Sequence, residues 1–256
     1  MKPKIAILKT DGTNCDEELC FAFSQAGGRS EIVHINSLIS GKKQLNTFHI
    51  LGLPGGFSYG DDILSGKILA NELRHQLKRQ IDAFIAQNKL VIGICNGFQS
   101  LVRMGYLPWT MDPAEDVSLI GNNSGHFECR WIRLRVVKSR CVFTNTLVGE
   151  VFEMPVAHGE GKLVVKNNAI FKKLQNNKHI IFQYIDMNGK PTMTYPHNPN
   201  GSIGAIAGIV DTTGRILGLM PHPERHTLLH HHPNWRRDVF THPCNAIFEH
   251  AVSYFI

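Results

Sequence analysis

"KLVIGICNGFQSLVRMG", residues 89–105, changes character at a single residue. Residues 89–94 form a short β-rich apolar run, Cys95 stands in a Gly-x-Cys-x-Gly frame, and "FQSLVRM" continues with the spacing of a helix. A strand that turns sharply into a helix at a cysteine is the arrangement in which hydrolases present a nucleophile. Gly93 and Gly97 fit that reading, because side chains beside such a turn would collide with the strand and helix packed closely around it. The thiol would stand at the carboxyl edge of a sheet and above a helix N-terminus, whose partial positive charge favours thiolate. A cysteine between two glycines can equally fill a tight βα turn and do nothing else. These residues alone leave both readings open.

The same alternation extends toward the N-terminus. "KIAILK" (4–9) and "SEIVHI" (30–35) read as strands on either side of the helical "NCDEELCFAFSQAGG", where Asn14 can cap, Glu17 follows three residues on, and Gly27 and Gly28 end the helix. "FHILGL" (48–53) and "KLVIGI" (89–94) bracket "SGKILANELRHQLKRQIDAFIAQN", in which Ile68, Leu69, Leu73, Leu77, Ile81, Phe84 and Ile85 recur at helical spacing. Strands alternating with helices imply a parallel sheet covered on both faces. Beyond residue 110 the texture changes. "RWIRLRVVKSRCVF", "KLVVK", "HIIFQYID", "GAIAGIVD" and "RILGLM" are short β-like runs between Gly, Asn, Pro and Asp turn signals, and "CNAIFEHAVSYF" (244–255) carries a helical apolar stripe. The expected fold class is α/β: a mainly parallel central sheet flanked by helices, with an added antiparallel β region extending or covering it. With no repeat, low-complexity tract or evident linker, residues 1–256 read as one domain.

Composition narrows the classes. The 256 residues are 43% hydrophobic and 19% charged, which suits a globular chain with a substantial core. No run approaches a membrane span, and "MKPKIAILK" lacks the apolar stretch and cleavage site of a signal peptide, so a cytoplasmic protein with no membrane partner is expected. The net charge of +6 is dispersed, without the basic block and interleaved aromatics of a nucleic-acid groove. The six cysteines contain no CxxC pair, so neither a disulfide framework nor a zinc ribbon is suggested, and most read as small buried hydrophobes.

A cysteine nucleophile needs a base, and the base an orienting partner. "GLMPHPERH" (218–226) offers both: Pro221 and Pro223 stiffen the backbone around His222, and Glu224, two residues on, can point its carboxylate to the same side as the imidazole. Acyl transfer also needs donors for an oxyanion. In "LGLPGGFSYGDD" (51–62), Gly55, Gly56 and Phe57 follow a strand and can turn backbone N–H groups toward one point. A phosphate-binding loop and a plain βα turn are the rival readings of that stretch, although the P-loop lysine and the dinucleotide spacing are both missing.

"PGGFSYGD", "GICNGFQ", "PVAHGEGK", "NPNGS" with "IAGI", and "GLMPHPER" occur in this order over nearly the whole chain. Together they resemble the glutaminase family of phosphoribosylformylglycinamidine synthases, which are class I, triad-type glutamine amidotransferases of purine biosynthesis with a flavodoxin-like fold. The resemblance implies one glutamine amidotransferase domain over 1–256. It implies that Cys95 attacks the side-chain amide of glutamine to give a γ-glutamyl thioester and ammonia, while His222, oriented by Glu224, handles the protons. Gly56 and Phe57 would supply oxyanion donors and Gln99 would help to hold glutamine. The loop carrying His158, Gly159 and Glu160 would recognise its α-amino and carboxylate groups, largely through backbone. The family pairs this half-reaction with a separate synthetase subunit that uses ATP and Mg, and in some members with a small third subunit. No cofactor or metal is then expected on this chain. At His126, in "NNSGHFECRW" (122–131), the family commonly has arginine, so no anion or partner contact is carried to it.

Two alternatives remain at this level: a glutaminase that feeds another ATP-dependent synthetase, and a non-catalytic regulatory subunit on the same fold. The intact Cys95, His222 and Glu224 argue against the second. "RHTLLHHHPNWRRD" (225–238) raises a metal reading, since a helix would place His226 and His230 on one face. With no carboxylate or cysteine to complete a set, a solvated or partner-facing segment is the expectation there.

Overall fold

In a computed structural model, which describes residues 2–61, 64–110, 115–237 and 242–256, the apolar runs become strands of one sheet. Met1, Asp62 and Asp238 of the stretches quoted above lie outside the described residues. The parallel half consists of β1 (Lys4–Lys9), β2 (Arg29–His34), β3 (Ile50–Leu53), β4 (Leu90–Ile94) and, from far along the chain, β11 (Ile216–Leu219). These lie in the order β2-β1-β3-β4-β11. Every residue of β3, β4 and β11 is buried. Successive strand residues point to opposite faces, so both faces of these strands are covered.

The helical cover follows the expected stripe. Helix α1 (Asp16–Gln25) follows β1 and rests its Phe23 edge-on against Phe248 of the C-terminal helix α7 (Asn245–Ser253), ring centroids 5.1 Å apart. Between them come the short α2 (Ile35–Ile39) and the pair α3 (Lys67–Glu72) and α4 (Lys78–Ala86), joined by a π-helical turn at Leu73–Leu77. Leu69, Leu73, Leu77 and Ile81 repeat every four residues, which in a straight α-helix would drift around the axis. The wider π turn absorbs that drift, and all four remain buried. One local expectation fails: Asn14 does not cap α1. The N-cap is Cys15 and its side chain makes no capping bond, while Asn14 Oδ1 lies 3.2 Å from Cys15 Sγ.

The second half continues the sheet. β6 (Glu128–Val136), β7 (Val151–His158), β9 (Ile180–Tyr184) and β10 (Ile206–Val210) extend it antiparallel in the order β11-β10-β9-β6-β7. A separate antiparallel pair joins β5 (Val117–Ile120) to β8 (Lys162–Val165). Strands β5 and β7 and helix α6 (Asn168–Asn176) were not anticipated. α6 opens with a side-chain cap, Asn167 Oδ1 accepting from the Ile170 N–H at 3.0 Å.

One contact decides how this half sits. β7 lies four strands from β11 along the sheet, about 19 Å if flat. Yet the His222 N–H, just past β11, donates to Pro155 O of β7 at 2.9 Å. The antiparallel half therefore curls back over the carboxyl edge of the parallel strands, where open α/β sheets bind their ligands.

Candidate active site

Three neighbouring parallel strands deliver three loops to that edge. β4 pairs with β3 on one side and with β11 on the other, in register at Ile94 and Leu219. Cys95 follows β4 and is the N-cap of α5 (Asn96–Arg103), with φ 51° and ψ −106°. A non-glycine residue with positive φ is strained and persists only where its surroundings hold it. Here the Cys95 N–H is held by Leu219 O at 2.8 Å. The flanking glycines are sterically required. A Cβ on Gly97 would lie 2.0 Å from Leu53 O, and one on Gly93 would lie 2.7 Å from the Gly97 backbone. The elbow expected from the sequence is present, and Cys95 is buried with its sulfur 3.6 Å from Ala157 O.

The β11 loop carries His222, and its Nδ1 and Glu224 Oε1 are 2.6 Å apart, both side chains fully buried. With Nδ1 committed to the carboxylate, Nε2 is left without a hydrogen-bond partner among the described residues. Burial is the strongest single influence on His222 and disfavours its protonation. The Glu224 charge and favourable contacts with Cys15 and Cys95 together outweigh it, so the imidazole is held well above its ordinary pKa. Cys95 is thus close enough to the imidazole to be among the groups that favour its charged form.

The β3 loop carries the glycines. Gly55 packs into the site: a Cβ there would lie 2.7 Å from His222 Cε1 and 3.3 Å from Cys95 Cβ. Gly56 has φ +135° and pairs with Thr13 as an isolated antiparallel bridge. The Phe57 N–H, expected as an oxyanion donor, is occupied: it donates to Gly12 O at 2.9 Å. The Phe57 ring is 45% exposed and stacks on Phe127 with centroids 6.1 Å apart.

The curled β7 sets Ala157 O beside Cys95, and the remaining expected residues stand at its end, on the loop after it and on α5. His158 ends β7, and its Nδ1 lies 3.1 Å from Asn122 Oδ1. Burial first, and then the His222 charge, push its pKa down to about 3, so it stays neutral. Gly159 O accepts from the Asn122 N–H, and Asn122 Oδ1 accepts from the Gly161 N–H at 3.0 Å. Glu160 O accepts from Gln99 Nε2 at 2.6 Å, while Asn96 Nδ2 donates to Gln99 Oε1 at 3.3 Å. Both ends of the Gln99 amide are thereby engaged, so Gln99 holds the Glu160 loop in this arrangement. Asn122, the hub of the 158–161 loop, was not singled out from sequence. Neither were Cys15, which lies beside His222, and Arg225, which lies beside Cys15.

The histidine segment departs from its expectation. It forms short 3-10 turns, not a helix, and His226 and His232 are buried beside Trp131 with ring centroids 5.1 and 4.5 Å from the indole. His232 Nε2 lies 2.7 Å from Glu153 Oε2, so a carboxylate and an aromatic take up these rings. His230 and His126 are exposed on turns. Among the described residues, the group whose ligand atoms converge within 4.8 Å is Cys15, His222 and Glu224. The Arg225 guanidinium, 3.0 Å from Cys15 Sγ, sets a fixed positive charge against a cation there.

The model of the CobB/CobQ-like glutamine amidotransferase domain matches residues 2–255 of this chain. A relative from Dehalococcoides mccartyi, phosphoribosylformylglycinamidine synthase subunit PurQ, is 47% identical over 235 residues, covering 91% of this chain and 89% of that protein. The protein of the same name from Methanococcus maripaludis is 41% identical over 271 residues, covering 100% and 99%. Among solved structures, one described as PurLQS from Thermotoga maritima aligns over 100% of both chains with a TM-score of 0.77 at 29% identity. A glutamine amidotransferase from Methylobacillus flagellatus, at 14% identity and a TM-score of 0.54, aligns over 99% of this chain and 93% of its own, and shares the fold alone.

Proposed function

The chain belongs to the CobB/CobQ-like glutamine amidotransferase family, and from that premise we propose that it is the glutaminase subunit of phosphoribosylformylglycinamidine synthase. It hydrolyses glutamine and passes the ammonia to an ATP-dependent synthetase subunit, which converts formylglycinamide ribonucleotide to the amidine in purine biosynthesis. A small third subunit completes the assembly, in keeping with the three-letter description of the Thermotoga maritima structure.

In this reading the Cys95 thiolate attacks the glutamine side-chain carbonyl, and imidazolium His222 gives its proton to the leaving nitrogen, releasing ammonia. Neutral His222 then takes a proton from water, which attacks the thioester and frees glutamate and Cys95. Glu224 keeps Nδ1 protonated, so that Nε2 is the face that works. The Gly55–Phe57 loop supplies the oxyanion donors once Phe57 is released from Gly12, and the 158–161 loop holds the amino-acid end of glutamine. ATP and Mg act on the synthetase, and this chain holds no cofactor of its own. A cytoplasmic setting suits six cysteines that are all unpaired thiols. No helix among the described residues is long and apolar enough to cross a membrane.

The observation that carries the reading is the convergence of the strained Cys95 elbow with the 2.6 Å His222–Glu224 pair on adjacent strands. The test combines this chain with the synthetase subunit, glutamine, ATP and formylglycinamide ribonucleotide, and follows consumption of the nucleotide. Consumption that disappears with Cys95→Ala supports the reading. Glutamine hydrolysis that persists in Cys95→Ala overturns the mechanism, and hydrolysis that feeds only a different synthetase overturns the assignment to this pathway.

A further inference from the structure

Cys15 is 207 residues from His222 in sequence and lies beside it in the fold. It occupies the N-cap of α1, a position that normally takes Ser, Thr, Asp or Asn for the capping bond. Its side chain makes no such bond and points into the site instead, 1% exposed. The sulfur has three polar neighbours: Asn14 Oδ1 at 3.2 Å, Arg225 Nη2 at 3.0 Å and His222 Nδ1 at 3.9 Å.

These neighbours fix how the thiol is used. Burial is the main influence on Cys15 and raises its pKa, so it is a neutral S–H group at neutral pH. The S–H donates to Asn14, and the lone pairs face the Arg225 guanidinium and the Nδ1–H edge of His222. Arg225 is steadied in turn by Glu18, 3.6 Å from its Nε. The residue also reaches the other half of the machinery through its backbone. The Cys15 N–H donates to Gly55 O at 3.3 Å, and the preceding segment clasps the same loop through Gly12 O to Phe57 N and Asp11 O to Tyr59 N, each 2.9 Å. Gly55 lacks a side chain at the point where a Cβ would stand 3.3 Å from Cys15 Sγ and 2.7 Å from the imidazole.

We propose that Cys15 is a positioning residue for glutamine hydrolysis: its sulfur seats the Nδ1 edge of His222 while its backbone N–H seats the oxyanion loop at Gly55, keeping base and oxyanion donors in one register. A sulfur suits this place because it can lie beside Nδ1 as a soft second acceptor without displacing the short bond to Glu224. A hydroxyl oxygen sits closer to its own Cβ and falls further short of the ring. The proposal rests on the glutaminase reading above, and its test separates the two.

Wild type, Cys15→Ala and Cys15→Ser, each assembled with the synthetase subunit, are compared for glutamate release over a range of pH. Cys141→Ala serves as the control for loss of a fully buried thiol outside the site. Because a misplacement of about 1 Å in a reacting group costs on the order of 10²-fold, Cys15→Ala is expected to lower kcat roughly tenfold or more, with KM for glutamine nearly unchanged. The pH limb set by His222 should move to lower pH in Cys15→Ala, and Cys15→Ser should recover part of both effects. The imidazole proton resonance of His222, titrated by NMR in the same variants, reads the seating of the ring without turnover and should show the same downward shift. Unchanged kcat and pH profile in Cys15→Ala, or a loss no different from that of Cys141→Ala, would overturn the proposal. Should Cys15→Ala not fold, Cys15→Ser decides by the same two readouts. A wild-type assembly that hydrolyses no glutamine would defeat the glutaminase reading, while the His222 titration would still decide the role of Cys15.

Discussion

The Phe57 N–H donates to Gly12 O at 2.9 Å, so the donor proposed for the oxyanion is spent inside the protein. Gly12, at φ +83°, allows the approach: a Cβ there would stand 2.0 Å from Phe57 O. Loss of one oxyanion donor typically lowers kcat by about 10²–10³. The isolated chain is therefore expected to release glutamate on the order of 10² times more slowly than the chain assembled with its synthetase. Steady-state glutaminase rates with and without the partner measure this, and equal rates would show that the Gly12–Phe57 bond does not limit turnover.

Glu224 spends its hydrogen bond on His222, and its second oxygen has no hydrogen-bond partner among the described residues. Glu224→Gln keeps the shape, removes the charge that favours imidazolium, and allows the wrong tautomer. A fall in kcat of about 10²–10⁴ is expected, with KM for glutamine little changed. The pH limb governed by His222 should move down, because the Glu224 charge is the largest influence raising that group. A variant that loses affinity for glutamine at unchanged kcat would place Glu224 in substrate binding instead.

The elbow glycines tie fold and site together. A Cβ on Gly97 would press 2.0 Å from Leu53 O, on the backbone of the strand that leads into the Gly55 loop. Neither partner is a flexible side chain, so Gly97→Ala is expected to destabilise the protein by about 3 kcal/mol or more. A Cβ on Gly121 meets nothing within 4 Å, and Gly121→Ala should stay within about 0.5 kcal/mol of wild type. Urea unfolding of the pair gives the comparison, and similar midpoints would refute the steric account of the elbow.

How much of this was legible in the sequence depended on the range of the forces involved. β1, β3, β4 and β11 announce themselves because strands buried on both faces must be continuously apolar. The elbow and the Pro-framed His222 are likewise local, and both stand where expected. β7 escapes a sequence reading because only every second residue is buried and Glu153 and Pro155 break what would otherwise be an apolar run. Pro is tolerated there because β7 is an edge strand, and its carbonyl is the one that holds the His222 N–H. Cys15 could not be read as more than a small buried residue, since its partners Gly55, His222 and Arg225 are assembled only by the sheet order. The occupied Phe57 N–H is similarly a matter of which carbonyl faces it, and composition says nothing of that.

His158 links the site to acid stability. Its pKa is held down to about 3 in the folded chain, first by burial, against about 6.5 when unfolded. A group whose folded pKa is depressed leaves the unfolded chain binding the extra proton, so stability is intact above pH 6.5 and is lost as pH falls toward 3. His222 has the opposite shift and contributes little slope in that window, because below pH 6.5 its ring is mostly protonated in both states. Replacing His158 with Gln removes one proton from the linkage. The fall in unfolding free energy between pH 6 and pH 4 should then be shallower by up to about 1.4 kcal/mol per pH unit. Urea unfolding of wild type and His158→Gln across that range checks this, and parallel curves would mean that His158 is charged in the folded protein and that its surroundings are far wetter than its burial implies.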